Sequence, residues 1–151
     1  MSNRINIQKT TPGAYKAFFQ LSNYVHSTGL NQIHFDLINI RASQINGCAF
    51  CLDMHTQEAL AHGENQQRIF TLDAWDETNF FDEKERAILK LTEEVTRISN
   101  RVSDATYKQA AELFGDEYLS HIIVAIIAIN AWNRMAITTQ MQPVLKAAAT
   151  V

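Results

Sequence analysis

The sequence predicts an all-α protein, and three observations carry that expectation. Glycine and proline are scarce, 5 and 2 among 151 residues, so the chain lacks the punctuation that separates successive strands. Asn-Gly, a strong short hairpin signal, occurs once, at Asn46-Gly47. Between the few breaks, apolar residues return at helical spacing. The length suits a single domain over residues 1–151, and a chain of this size buries roughly 70% of the surface it exposes when unfolded.

Residues 1–11 read as an extended lead-in. Pro12 suits the first turn of a helix, where its missing N–H costs nothing, and Ala14, Phe18, Leu21 and Val25 form one stripe up to Gly29. A second helix is predicted from about Asn31 to Ser43, with Ile33, Leu37, Ile38 and Ile40 on its apolar face. Asn46-Gly47 makes a tight turn. The next helix opens at Cys48 and ends at Gly63, placed as a left-handed cap. Asn65 to Ala74 continues helically with Ile69, Leu72 and Trp75 apolar, and a loop from Trp75 to Phe81 carries three aromatics. Asp82-Glu83-Lys84-Glu85 is a capping-box pattern. It opens a helix bearing Ala87, Ile88, Leu91, Val95 and Ile98. Ser103 is a good cap for the helix that follows, which ends at Gly115. In the last helix, from about Asp116, the run Ile122 to Ile129 is apolar on every side, which predicts burial all round, in the core or at a subunit interface. Pro143 marks the stop.

Hydrophobic residues make up 46% and charged residues 19% of the chain, an ordinary globular mixture. The net charge of -3 argues against a nucleic-acid or anionic-membrane partner, since both reward basic clusters. The first eleven residues lack the apolar segment of a signal peptide, and Ile122–Ile129 is far short of the ~20 residues of a membrane span. A cytoplasmic protein is therefore expected. In that reducing setting a CxxC pair is more often catalytic or metal-binding than a static disulfide.

Both cysteines, Cys48 and Cys51, fall in the helix after Gly47, and His55 follows four residues beyond Cys51. At helical spacing the three share one face. Cys48 lies at the helix start, where free N–H groups favour a thiolate. A histidine one turn past Cys51 can take a thiol proton or, protonated, hold a thiolate. The residues alone leave three readings: a redox pair, a zinc site built from Cys48, Cys51, His55 and His62, or two reduced core thiols. Two histidines on the helix of the CxxC wrap a tetrahedral ion poorly. The thioredoxin form of CxxC needs a βαβ context, and none is visible.

The segment Arg41-Ala-Ser-Gln-Ile-Asn-Gly-Cys-Ala-Phe-Cys-Leu-Asp-Met-His-Thr56 resembles the core motif of the carboxymuconolactone decarboxylase-like superfamily, in its AhpD-like alkylhydroperoxidase branch. The likeness extends through Ala74-Trp75, Phe80 to Arg86 and Ile129 to Arg134, and covers about residues 15 to 140. It implies an all-helical domain that assembles as a homodimer, trimer or hexamer. It also implies a thiol-dependent peroxidase or disulfide-exchange enzyme with no cofactor or metal, acting on a hydroperoxide and renewed by an external dithiol or thioredoxin-like reductant. By the same resemblance Cys51 is the nucleophile, Cys48 the resolving cysteine and His55 the relay histidine. Asp36, twelve residues before Cys48, stands where the family usually has the relay Glu and is one methylene shorter. Phe50 stands where the founding members have His. The intact CxxC disfavours a decarboxylase. A zinc-binding module and a helical oligomeric thiol sensor are the alternative functions.

Other residues carry plainer expectations. His26, His34 and His121 suit the surface or an interface, and His62 a helix end. Asn130, Asn133 and Arg134 suit a brace for the site or a subunit interface. Trp132 suits the core or an interface, and Phe50 and Met54 a pocket wall or core.

Overall fold

The computed structural model describes residues 4–145, and no strand occurs among them. The predicted lead-in contains one short turn of helix, α1 (Ile7–Thr10), because the Asn6 side chain accepts from the Lys9 N–H; its first three residues lie outside the described range. Then come α2 (Pro12–Ser27), α3 (Gln32–Asn46), α4 (Ala49–Ala61) and α5 (Gln66–Thr71). A 3-10 segment, Leu72–Glu77, continues α5 across a break at Ala74. It replaces the start of the expected aromatic loop, and of its aromatics Trp75 and Phe81 are buried. The chain ends with α6 (Glu83–Thr96), a 3-10 turn (Ile98–Asn100) and α7 (Asp104–Thr139).

Capping chemistry sets these limits. Asn31 accepts from the Ile33 and His34 N–H groups to open α3. Asp82 and Glu85 form the reciprocal capping box of α6, and Ser103 caps α7 on the Thr106 N–H. Gly115, at φ 68° and ψ 167°, breaks the hydrogen-bonded run of α7 into 104–114 and 116–139, the two helices the sequence predicts.

The helix buried most completely is α3. Eight consecutive residues, Asp36 to Ser43, are buried, although four of them are polar or charged. Its Leu37 and Ile40 join Leu72, Trp75, Phe81 and Leu89 in one apolar cluster. Its Ile38 and Ala42 join Val25, Ile88, Leu91 and Ile126 in another. Each such Leu or Ile contributes about 1.5–3 kcal/mol by leaving water. Ile33, expected on the apolar face, is exposed, one turn before this buried stretch. The complete burial expected of Ile122–Ile129 holds for five of its eight residues; Ile127 is 51% exposed. By length and composition α7 contains an 18-residue stretch apolar enough to cross a membrane, at mean hydropathy 1.5; half of that stretch is buried within the molecule, against α3 and α6.

The charged residues in this core are paired. Arg41 donates through Nε and Nη2 to Glu93 Oε1, at 3.0 and 2.8 Å, and through Nη1 to Gln44 and Asp73. Trp75 Nε1 donates to the same Glu93 oxygen at 2.8 Å. A buried charge is tolerated only with this kind of pairing.

Candidate active site

The site begins at the turn between α3 and α4. Gly47 takes the left-handed conformation, φ 69° and ψ 35°, that caps α3. Asn46 is held in place by α7: its Nδ2 donates to Asn130 Oδ1 and Asn133 Oδ1, both at 2.9 Å. Asn133 in turn donates to Ser43 Oγ at 3.0 Å, and Asn130 to Thr96 Oγ1 at 3.0 Å. Arg134 donates to Asn130 Oδ1. Of these three α7 residues, expected as a brace, Asn130 and Asn133 tie the end of α3, just before the turn that delivers Cys48, to α7, and Arg134 holds Asn130. α3 runs three residues past its expected end because Asn46 is anchored in this way.

Cys48 is the N-cap of α4, and its sulfur accepts from the Cys51 N–H at 3.3 Å. The two cysteines form a disulfide, with Cα atoms 5.3 Å apart, within the normal range for a bridge. Both are buried against Ala136. Their environments differ in one respect. Cys51 lies on the wall of a cavity of about 320 Å³, and Cys48 is not among its lining residues.

The cavity runs between α2, α3, α4 and α7 and is mostly apolar. Tyr15, Phe19, Phe35, Phe50 and Trp132 supply aromatic surface, and Met54 and Met141 add thioethers. Trp132 is fixed by its Nε1 donating to Ser22 Oγ at 2.7 Å and by the edge of Tyr15, 5.3 Å between centroids. His26 packs edge-on against Phe35 at 4.7 Å. Trp132, expected in the core or an interface, and His26, expected at the surface or an interface and exposed, both help line the cavity. Nothing in their local sequence signals this, because α2 and α7 meet only through tertiary packing.

His55 lines the cavity beside Cys51, Met54 and Glu58. Its Nδ1 lies 2.8 Å from Glu58 Oε2. The hydrogen bond from His55 holds the Glu58 carboxyl below the usual glutamate range, helped by the charge of His55, His62 and His26 and opposed by partial burial. The sequence reading gives His55 a different acid, Asp36. The structure does not pair them: Asp36 Oδ2 lies 2.9 Å from His62 Nδ1, and Asp36 Oδ1 accepts from Gln32 Nε2 at 3.0 Å. Asp36 is buried but is not part of the cavity wall. Counted from Gly47, Asp36 lies eleven residues back and His55 eight residues forward. In a helical hairpin that leaves about 4.5 Å of offset along the axis, which the short aspartate does not span. Glu58, missed in the sequence, stands at i+3 from His55, a spacing at which helical side chains meet.

The same arrangement disperses the zinc ligand set. His62 turns to Asp36, His55 turns to Glu58 and the cysteines are joined to each other. Among the described residues no three His, Cys, Asp or Glu side chains gather as a metal site.

Comparison with known proteins bears on the family and the fold. The pattern of the Carboxymuconolactone decarboxylase family matches residues 12–94. The uncharacterised protein YdfG of Bacillus subtilis is 40% identical over 91% of this chain and 94% of its own. A solved structure from Agrobacterium tumefaciens, of unknown function and provisionally assigned as an antioxidant defence protein AhpD, is 41% identical. It superposes with a TM-score of 0.93 over 97% of this chain and 100% of that one. The alkyl hydroperoxide reductase AhpD of Hyphomonas neptunium is 36% identical over 31% of this chain and 26% of its own. All-helical, with a Cys48–Cys51 disulfide at the head of α4, the chain belongs to the carboxymuconolactone decarboxylase family and is an AhpD-like member of it.

Proposed function

We propose that the protein is a CxxC thiol peroxidase that reduces hydroperoxides. The observation that carries this reading is the asymmetry of the pair: Cys51 lines an apolar cavity beside His55, while Cys48, bonded to it, does not. In the reduced protein the Cys51 thiolate attacks the terminal oxygen of the hydroperoxide. The S–O bond forms, the O–O bond breaks, the alcohol or water leaves, and Cys51 becomes a sulfenic acid. Cys48 attacks that sulfur, hydroxide leaves with a proton to form water, and the disulfide closes. An external dithiol, of thioredoxin-like type in the cytoplasm, restores both thiols by exchange. His55 moves the protons, and Glu58 orients its ring in the place the resemblance gives to Asp36. We assign Asp36 to holding His62. A homo-oligomer is the assembly this reading carries with it.

The test is steady-state consumption of an organic hydroperoxide with a dithiol reductant. Cys51→Ser should abolish it and prevent sulfenate trapping. Cys48→Ser should keep formation of a trappable sulfenate and lose dithiol-supported turnover. Full activity in Cys51→Ser would end the assignment, and a protein that senses oxidant without turning over would show disulfide formation in a single round only.

A further inference from the structure

The second half of α7, residues 116–139, turns one face away from the rest of the chain. On that face Asp116, Ser120, Ile123, Ile127, Asn130 and Arg134 follow one another at alternating steps of four and three. That is the heptad spacing that keeps one seam of a helix against a neighbouring helix. Of the six only Asn130 is buried; Ile123 is half-buried and the others are exposed. The seam forms one wall of an open groove of about 470 Å³, and Ile98, Val102 and Tyr107 stand on the other. Ile98, Tyr107 and Ile127 are each more than half exposed. Single apolar side chains in water need no explanation, but three in one groove mark an interaction surface.

The ends of the seam are charged. Asp116 and Arg134 form no ion pair among the described residues. Arg134 Nη1 donates to Asn130 O and Oδ1, at 3.1 and 3.0 Å, which fixes one nitrogen of the guanidinium and leaves Nε and Nη2 for another acceptor.

The order of these residues says what covers them. Asp116 and Arg134 lie nine residues either side of Ala125, and Ile123 and Ile127 lie two residues either side of it. A two-fold axis at the level of Ala125 therefore lays α7 antiparallel on a second α7. It sets Ile123 against the partner's Ile127 and brings Asp116 to the partner's Arg134, twice over. A surface that is its own complement in this way is what a two-fold pairing requires. Heptad spacing favours a helix crossing near +20°. At that angle charges about 13 Å along the helix from the axis are offset sideways by about 5 Å, which an arginine spans; at 50° the offset is about 11 Å.

We propose that this face of α7 is a two-fold interface on which the chain pairs with a second copy of itself, with Asp116 of each protomer meeting Arg134 of the other. This rests on the homo-oligomer of the reading above and names its surface; it does not depend on the peroxide chemistry. The interface also reaches the redox turn, because Arg134 holds Asn130 and Asn130 receives Asn46, just before Cys48.

The test is the number of chains in the assembly, measured on the full chain by sedimentation equilibrium at micromolar concentration. The wild-type protein should contain an even number. Ile127→Asp should bring that number to half or less with helical circular dichroism unchanged. Arg134→Asp and Asp116→Arg each put like charges together at both ends and should do the same. Mixing those two variants should restore pairing, because in the mixed dimer every arginine again meets an aspartate; native mass spectrometry should find it at least about 10-fold above either homodimer. An acid at the start of a helix and an arginine toward its end also complement the helix dipole, but if that were their only role, mixing would recover nothing. A wild-type monomer overturns the proposal without any variant, and a monomer that floats with phosphatidylcholine vesicles would give the face to a membrane instead. An odd number of chains leaves a homo-oligomer standing and overturns this surface. Wild-type mass in Ile127→Asp, or two folded charge variants that do not pair on mixing, overturns it as well.

Discussion

His55 has one ring nitrogen committed, and that limits what the other can do. Glu58 is an anion and can only accept, so Nδ1 carries the proton of that bond and Nε2 is left to take or give one. His55→Gln should therefore lower the rate of the proposed peroxide reduction by about 100-fold, the usual size of a lost acid–base group. Glu58→Gln keeps an acceptor for Nδ1 and should cost less, about 10-fold by the same scale. Glu58 also links the site to stability. Its carboxyl is held below the ordinary value, so its contribution is full above the unfolded-state value of about 4.3 and fades as pH falls through the lower folded-state value. The Glu58 side chain is 47% exposed, so that contribution is at most about 1 kcal/mol. Urea midpoints of wild type and Glu58→Gln should differ at pH 7 and converge at acid pH. A constant difference would mean that shape, and not charge, is what the substitution removes. Residues of this kind divide by how they reach the site. Cys48, Cys51, His55 and Glu58 are local, and helical spacing alone brings them to one face. Asn39 and Trp132 come from α3 and α7, and only packing across helices shows that they line the same cavity.

At the scale of elements, the breaks in the chain were readable because caps are local chemistry. Asn31, the Asp82–Glu85 box, Ser103 and Gly115 each act within one turn of their own position. The burial of α3 was not readable, since Arg41 and Ser43 find their partners far along the chain, in Glu93 and Asn133. Two breaks make opposite predictions. Gly115 sits at φ 68°, ψ 167°, a region nearly reserved for glycine. Space is open around it, so the cost of Gly115→Ala is in the backbone alone, about 1–3 kcal/mol. Arg101 occupies almost the same conformation, φ 68° and ψ 165°, with a side chain. Arg101→Gly should relieve that strain and return about 0.5–1 kcal/mol to unfolded-chain entropy, for a net gain of about 1 kcal/mol. Thermal unfolding of the two variants should move in opposite directions. A lower melting temperature for Arg101→Gly would show that the arginine side chain supports the turn by more than its backbone costs.

The molecule as a whole is organised on α3, which contacts α4, α6, α7 and the 3-10 segment at Leu72–Glu77. Apolar contacts hold two of its faces, and Arg41 holds a third by drawing Glu93 of α6 and Trp75 of the 3-10 segment onto one oxygen. Its two acidic partners are unequal. Asp73 is 78% exposed and contributes little in water, whereas Glu93 is 15% exposed and needs its cation. Arg41→Met should therefore destabilise the protein by about 3 kcal/mol, most of it the cost of leaving Glu93 with only the longer, 3.7 Å pair to half-exposed Arg97. Adding Glu93→Gln should recover part of that loss, because an amide oxygen still accepts from Trp75 without a buried charge. Asp73→Asn alone should change stability by less than about 0.5 kcal/mol. Urea unfolding decides this, and the shape of the curve matters as much as the midpoint. If α3 ties the helices into one cooperative unit, Arg41→Met keeps a single transition with an unchanged slope. A separate early transition would mean instead that Arg41 anchors only the 3-10 segment, and that α3 carries Asn39 and the Cys48 turn on its apolar contacts alone.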